Sequence, residues 1–253
     1  MIIGSKFYHK IKCYNSIDWA KTEINNAPDG SIFISDKYEL TRGRQGRLWK
    51  RYPGQLIMTV LLKPESFKNI DTQNLNSCLN KLSMAISLGI LKPLLAYGVM
   101  LKWPNDFVFK NKKIGGVLGS AVWLENKVQG IIFGFALNVN NVFKKNDELF
   151  KVATSLRVLF KDKIDENLLF KDLINSIDLF YQRWIDEKYS YIYKFWKHSQ
   201  YYLGKNIVIH NKDGNVIKGL FFDVLENGDL ILKIDNKECI IINFCLIDSF
   251  SFE

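Results

Sequence analysis

Two stretches of the chain repeat apolar side chains every three to four residues. Leu75, Leu79, Leu82, Ile86 and Ile90 form the first, and Leu169, Leu173, Ile177, Phe180 and Trp184 the second. Each spacing predicts a helix that lays one apolar face on a sheet. Between and before them lie short apolar runs bounded by polar turns. These predict strands over Ser31–Ser35, Gln55–Leu62, Val99–Lys102, Asp106–Phe109, Gly115–Trp123 and Val128–Asn138. The last two flank the polar stretch Leu124–Lys127 and read as an antiparallel hairpin, and Phe109 and Ile114 flank a second turn over Lys110–Lys113. The aromatic run Tyr189–Tyr202 reads as a helix end at a domain junction, a place for packing rather than for a ligand.

From Gly204 the pattern changes. Ile207–His210, Ile217–Val224, Leu230–Ile234 and Glu238–Asn243 alternate with turns at Asp213-Gly214 and Asn227-Gly228. Closely spaced strands with glycine turns predict a small β-barrel. The expected organisation is an α+β domain over residues 1–200, with helices laid on a sheet, followed by an all-β domain over 201–253.

Composition narrows the classes. With 47% hydrophobic residues over 253, the chain can bury a proper core, and wholesale disorder is excluded. No apolar run approaches the ~18 residues of a bilayer span, so no membrane role is expected. The opening residues lack the layout of a secretory leader. Cys13, Cys78, Cys239 and Cys245 form no C-x-x-C pair, and His9, His198 and His210 are scattered. Neither a metal site nor a disulfide framework is expected, and a reducing cytoplasm fits this usage. The net charge of +9 permits a polyanionic partner without requiring one, because no nucleic-acid-binding signature accompanies it.

Four clusters carry chemistry. Thr41-Arg42-Gly43-Arg44-Gln45-Gly46-Arg47-Leu48-Trp49-Lys50-Arg51 is a basic loop in which glycine permits close backbone approach, arginine offers forked donors to phosphate or carboxylate, and Trp49 can stack on a base. On its own it reads equally well as an exposed basic loop touching RNA. Lys102-Trp103-Pro104-Asn105-Asp106 ends a strand on a lysine, which a reacting anion would explain. Lys113-Ile114-Gly115-Gly116-Val117-Leu118 puts paired glycines inside a strand, and Gly134-Phe135-Ala136-Leu137-Asn138-Val139-Asn140 closes one on an asparagine. Alone, each of these last two reads more simply as a bulge or strand end.

In this order the four clusters resemble the biotin protein ligases, whose pattern runs G-R-G-R-x-G-R-x-W, K-W-P-N-D, K-[IL]-x-G-[IL]-L and G-x-G-x-N. The chain has T-R-G-R-Q-G-R-L-W at Thr41–Trp49, an intact K-W-P-N-D at Lys102–Asp106, K-I-G-G-V-L at Lys113–Leu118 and G-F-A-L-N at Gly134–Asn138. The likeness spans about residues 10–250. It implies a fold like that of class II aminoacyl-tRNA synthetases and biotin ligases, a mixed β-sheet packed by helices and ending in an SH3-like barrel. It further implies that biotin and MgATP give biotinyl-5′-AMP, and that biotin then passes to a lysine of a biotin carboxyl carrier protein domain of a carboxylase. By this likeness Lys102 and Arg42 are catalytic. Ser16, Arg42, Gly43, Arg44, Lys102 and Gly116 hold biotin, and Arg44, Arg47, Trp49, Asn105, Asp106, Lys113 and Asn138 hold ATP. The winged helix that repressor-type members place before this domain has no counterpart, so no DNA partner is expected, while pairing of two copies through their sheets is allowed.

The chain departs from the family pattern mostly around the biotin ring. Ile17 stands where the family has a threonine hydroxyl, Tyr38 where it has glutamine, Thr41 and Ala136 where it has glycine, and Ser120 where it has an acidic residue. Two other readings therefore stay open: a ligase of the same superfamily for lipoate or another acyl acid, and a non-catalytic binding protein on the same scaffold.

Overall fold

The computed structural model describes residues 12–14, 26–35, 41–43, 48–63, 72–124, 127–211, 213–234, 238–243 and 247–252. A seven-stranded mixed sheet forms its centre, in the order β1 (Lys12–Tyr14), β2 (Ser31–Ser35), β5 (Gln55–Leu62), β9 (Lys127–Asn138), β8 (Lys112–Leu124), β7 (Asp106–Phe109), β6 (Met100–Lys102). Only β1 and β2 run parallel; the other neighbours are antiparallel. The bounds of β2, β5 and β7 match the expected strands residue for residue.

One face of this sheet carries Ile32, Met58, Val60, Phe133, Phe135 and Phe107 and merges with two long helices, α1 (Thr72–Leu94) and α3 (Glu166–Ile185), in a single apolar core. Phe33, Leu61 and Ile132 cluster on the opposite face. That division follows from the two-residue period of a strand. The central strand β5 is buried along its whole length, which is why its sequence reads as a continuous apolar run rather than an alternating one.

The helices start where the chain supplies acceptors. Asp165 caps α3 by accepting from the backbone N–H groups of Asn167 (2.9 Å) and Leu168 (3.1 Å), and Ser155 caps the short α2 (Leu156–Phe160). α1 and α3 meet at Gly89, where a Cβ would lie 2.6 Å from the Ile177 Cα. By length and composition the Leu75–Tyr97 stretch is apolar enough to cross a bilayer, which corrects the sequence-based expectation. Here it serves as a core helix, with Leu82, Ala85, Ile86, Leu88 and Ile90 fully buried.

The aromatic run folds as α4 (Tyr189–His198) and a turn, and it packs as expected, with Ile192, Trp196 and Tyr202 buried. α4 is tied to a second sheet by the Lys197–Asp223 ion pair (2.7 Å) and by Tyr193 Oη donating to the Val224 carbonyl (2.7 Å). That sheet has the order β13 (Cys239–Ile242), β12 (Leu230–Lys233), β11 (Val216–Val224), β10 (Asn206–Asn211), β14 (Ile247–Phe252) and is antiparallel throughout. Among the described residues it is an open sheet rather than the closed barrel expected. Its strands up to β13 and the turns at Gly214 and Gly228, both in the left-handed region (φ +86° and +92°), follow the sequence reading. β14 lies outside the strands expected from the sequence, although Ser249–Phe252 alternates polar and apolar.

Candidate active site

On the sheet face turned away from α1, neighbouring strands put small residues side by side. Gly116 on β8 stands opposite Ala136 on β9, which stands opposite Ile57 on β5. In the next row Leu118, Gly134 and Thr59 line up in the same way. The small side chains at Gly116, Ala136 and Gly134 lower the sheet surface here, which makes this largely buried strip a candidate floor for a flat molecule. Thr59 ends the second row beside Phe33 of β2. It is fully buried, and its hydroxyl has no hydrogen-bond partner among the described residues. A buried hydroxyl left unmade costs about 1–3 kcal/mol. The sequence reading missed it, because a threonine in an apolar strand looks like an ordinary β-former.

At one end of the floor three charges share a small volume. Lys113 at the start of β8 pairs with Asp106 at the start of β7 (2.7 Å). Gly116 makes this possible: a Cβ there would lie 2.9 Å from Asp106 Oδ1 and 3.6 Å from Lys113 Nζ. Lys102 closes β6, where its backbone pairs with Asp106. Burial holds the Lys102 ammonium below the ordinary lysine range; Asp106 pulls it up and Lys113 pushes it further down. Its Nζ lies 5.7 Å from the Tyr202 ring centre. Two ammonium groups thus act on one carboxylate, and the surplus positive charge suits an anion.

The basic loop reaches the same place. Thr41–Arg42 (β3) and Leu48–Trp49 (β4) form a two-stranded hairpin, so the segment read as a loop has paired backbone at its base. Trp49 lies over Lys113, with Nζ 5.1 Å from the ring centre, and its buried indole N–H has no partner among the described residues. Past the hairpin, Tyr52 donates to Asp147 Oδ2 (2.6 Å) and meets Phe143 edge-on at 4.9 Å. The hydrogen bond to Asp147 holds its carboxyl below the ordinary range, and burial with that bond pushes the phenol to about 12. The base of the hairpin is thereby fixed to the segment that follows β9. Gly43 and the backbone of Arg42 belong to this hairpin, but the Arg42 side chain, Arg44, Arg47 and Ser16 lie outside the described residues, as do Ile17 and Tyr38.

Two of the residues expected to meet the ligand also hold the protein together. Asn105 Nδ2 donates to the Val117 carbonyl (2.7 Å) while the Val117 N–H donates to the Asn105 carbonyl (2.9 Å), a reciprocal clamp of the corner onto β8. Asn138 is 1% exposed; its Oδ1 accepts from Gln55 Nε2 (2.8 Å) and Asn141 Nδ2 (3.3 Å), and its Nδ2 points to the Lys113 carbonyl (3.4 Å). It ties together the ends of β5, β8 and β9, and so helps fix where Lys113 stands.

The chain is similar to known proteins in sequence and in fold. Residues 11–138 match the model of the biotin/lipoate A/B protein ligase family. The chain is 28% identical over 215 residues to the bifunctional ligase/repressor BirA of Bacillus subtilis, covering 83% of this chain and 63% of that protein. It is 24% identical over 220 residues to the biotin–[acetyl-CoA-carboxylase] ligase of Mycobacterium tuberculosis, covering 84% and 77%. The chain therefore spans under two thirds of the Bacillus relative. A biotin protein ligase from Aquifex aeolicus, solved with biotin and ATP, superposes with a TM-score of 0.76 at 22% identity over 96% of both chains.

Proposed function

Because the chain belongs to the biotin/lipoate A/B protein ligase family, we propose that it is an ATP-dependent ligase that adenylates biotin and transfers it to a lysine of a biotin carboxyl carrier protein domain. The observation that carries this reading is the meeting of the Trp49 hairpin with Lys113, Asp106 and Lys102 over a floor of small residues. In the first step a carboxylate oxygen of biotin attacks the α-phosphorus of MgATP and pyrophosphate leaves. Mg2+ enters on the ATP phosphates as part of the substrate. In the second step the acceptor amine attacks the carbonyl carbon, AMP leaves with the anhydride oxygen, and the nitrogen loses a proton.

Bringing a carboxylate against a triphosphate is the difficult part, because both are anions. Lys102 and Lys113 lower that repulsion, and by the family likeness Arg42 and Arg44 lower it further. Lys102 is suited to the developing charge because burial has already stripped much of its water; an anion beside it restores the stability of its charged form. Asp106 aims Lys113, and Trp49 offers a ring for adenine and an indole N–H with no other partner. Residues 1–200 hold this chemistry. Residues 201–253 support it as a separate domain, and two copies pair through their large sheets. Free cysteines at Cys78 and Cys239 suit a reducing cytoplasm.

The choice of acid rests on the floor. Biotin's ureido group needs polar partners, and Ile17 has removed one that the family uses. Thr59 supplies a hydroxyl that is buried and unpaired. Thr59→Val removes it at nearly constant shape. The Michaelis constant for biotin rises about tenfold, as expected for one lost hydrogen bond of ~1.4 kcal/mol, while thermal stability stays level or improves because no protein partner is lost. Steady-state kinetics and a melting curve check both; an unchanged Michaelis constant removes Thr59 from the pocket.

The decisive experiment incubates the protein with MgATP and biotin, lipoate or octanoate in turn and reads acyl-adenylate by mass. Biotinyl-adenylate establishes the reading. Adenylate from lipoate or octanoate alone assigns the chain to the other branch of its family, and none from any acid leaves a binding protein.

A further inference from the structure

We propose that Trp103 is a positioning residue for Lys102, and that the second sheet acts on the site through it; the proposal rests on the adenylation reading above. Trp103 directly follows Lys102, yet its ring turns into the core and is 1% exposed. Its Nε1 donates to the Gly228 carbonyl at 2.7 Å. Phenylalanine would fill such a space with apolar surface but lacks the donor that the indole supplies.

The acceptor is held from several sides. Gly228 lies in the turn between β11 and β12 at φ +92°. Within the turn the Leu225 N–H donates to the Asp229 carbonyl (2.7 Å) and the Gly228 N–H to the Leu225 carbonyl (2.9 Å). Asp229 Oδ2 accepts from Asn227 Nδ2 (2.8 Å) and Oδ1 from Asn243 Nδ2 (2.9 Å). Asn80 of α1 donates to the Asn227 carbonyl at 2.7 Å. The turn that carries this carbonyl is thus braced by α1 and by the residue that follows β13. On the other side of Lys102, the Leu101 N–H donates to the Ser199 carbonyl (2.9 Å) and the Leu101 carbonyl accepts from the Tyr201 N–H (2.7 Å). Both chain neighbours of Lys102 are therefore anchored outside its own sheet, leaving its ammonium as the part that faces Asp106 and Lys113.

The test is Trp103→Phe in the full chain. A small displacement of a reacting group costs up to ~10²-fold. The expected kcat for pyrophosphate release therefore falls at least about tenfold, with both Michaelis constants within about threefold of the parent. Carbon-13 spectra of reductively methylated protein, taken without substrate, show a shifted Lys102 signal. Tyr193→Phe is the control: it cuts a different tie to the second sheet and lowers stability while leaving kcat and that signal in place. Parental kcat with an unmoved Lys102 signal in Trp103→Phe overturns the proposal, as does an equal loss of kcat in Tyr193→Phe. Should Trp103→Phe fail to fold, Asn80→Ala, which loosens the braced turn from α1, must move the Lys102 signal or the proposal falls. If the parent activates no acid, the spectra still decide the positioning claim while the ligase reading fails separately.

Discussion

Lys102→Ala lowers the rate of acyl-adenylate formation by about 10²–10³, the usual loss for one preorganised electrostatic donor. The expectation comes from what remains after the change. Lys113 keeps its bond to Asp106 and its place under Trp49, so the Asp106 carboxylate stays compensated and the pocket keeps its shape. What is lost is the cation whose water burial has already removed. Such a cation strengthens its hold as negative charge gathers on the α-phosphate, so kcat falls more than the Michaelis constants rise. Lys102→Met keeps the stem and loses the charge, and it gives the same kinetic defect at parental or higher stability, because a desolvated ammonium has been removed. Pyrophosphate release in single turnover measures the effect. A rate within about threefold of the parent would show that Lys102 is a structural lysine and move the catalytic role to Lys113.

Gly89→Leu is the largest expected loss of stability. Replacing a helical glycine ordinarily gains up to ~1 kcal/mol from backbone propensity. Here the new Cβ would sit 2.6 Å from the Ile177 Cα and 3.1 Å from its backbone nitrogen. The obstacle is backbone, which cannot rotate away, so α1 and α3 must separate across a core in which Leu88, Ile90, Leu173 and Ile174 have no exposed surface. Overpacking of this kind costs about 1–3 kcal/mol or more and outweighs the propensity gain. A backbone obstacle puts the cost at the upper end, so at ~2–4 °C per kcal/mol for a chain of this size a net loss of about 2 kcal/mol lowers the melting temperature by about 4–8 °C. Gly89→Ala falls less but in the same direction, and a rise in its melting temperature would show that the helices can part cheaply.

What was legible in the sequence, and what was not, divides along physical lines. Local patterns served for strands whose faces differ: β2, β5 and β7 carry their bounds in their own residues, and the glycine turns of the second sheet announce themselves. Pairing over distance is not local. β1 has three residues and is defined by its partner Ser31–Ser35, and β14 by β10, so neither could be read from its own composition. In the site, the cationic clusters were recognisable because charges and glycines in strands are unusual. Their division of labour was not. Asn105 and Asn138 look alike as ligand-binding amides, and only the coordinates assign their amide nitrogens to the Val117 and Lys113 carbonyls. Thr59 was hidden for the opposite reason: nothing in QLIMTVLL distinguishes the one residue whose hydroxyl faces an unfilled need.

The buried middle strand also sets a timetable for synthesis. β5 pairs with β2 on one side, and that partner precedes it, but its other edge must wait for β9. About 75 residues are translated in between, which at ~5–20 residues per second leaves Gln55–Leu62 half-edged for some 4–15 s. Throughout that interval the nascent polypeptide displays an eight-residue uncharged segment, QLIMTVLL, with bare amides along one border. Such a segment is a template for self-association, so yield in a host cell depends on how soon Asn138 clears the ribosome or on what shields the segment until then.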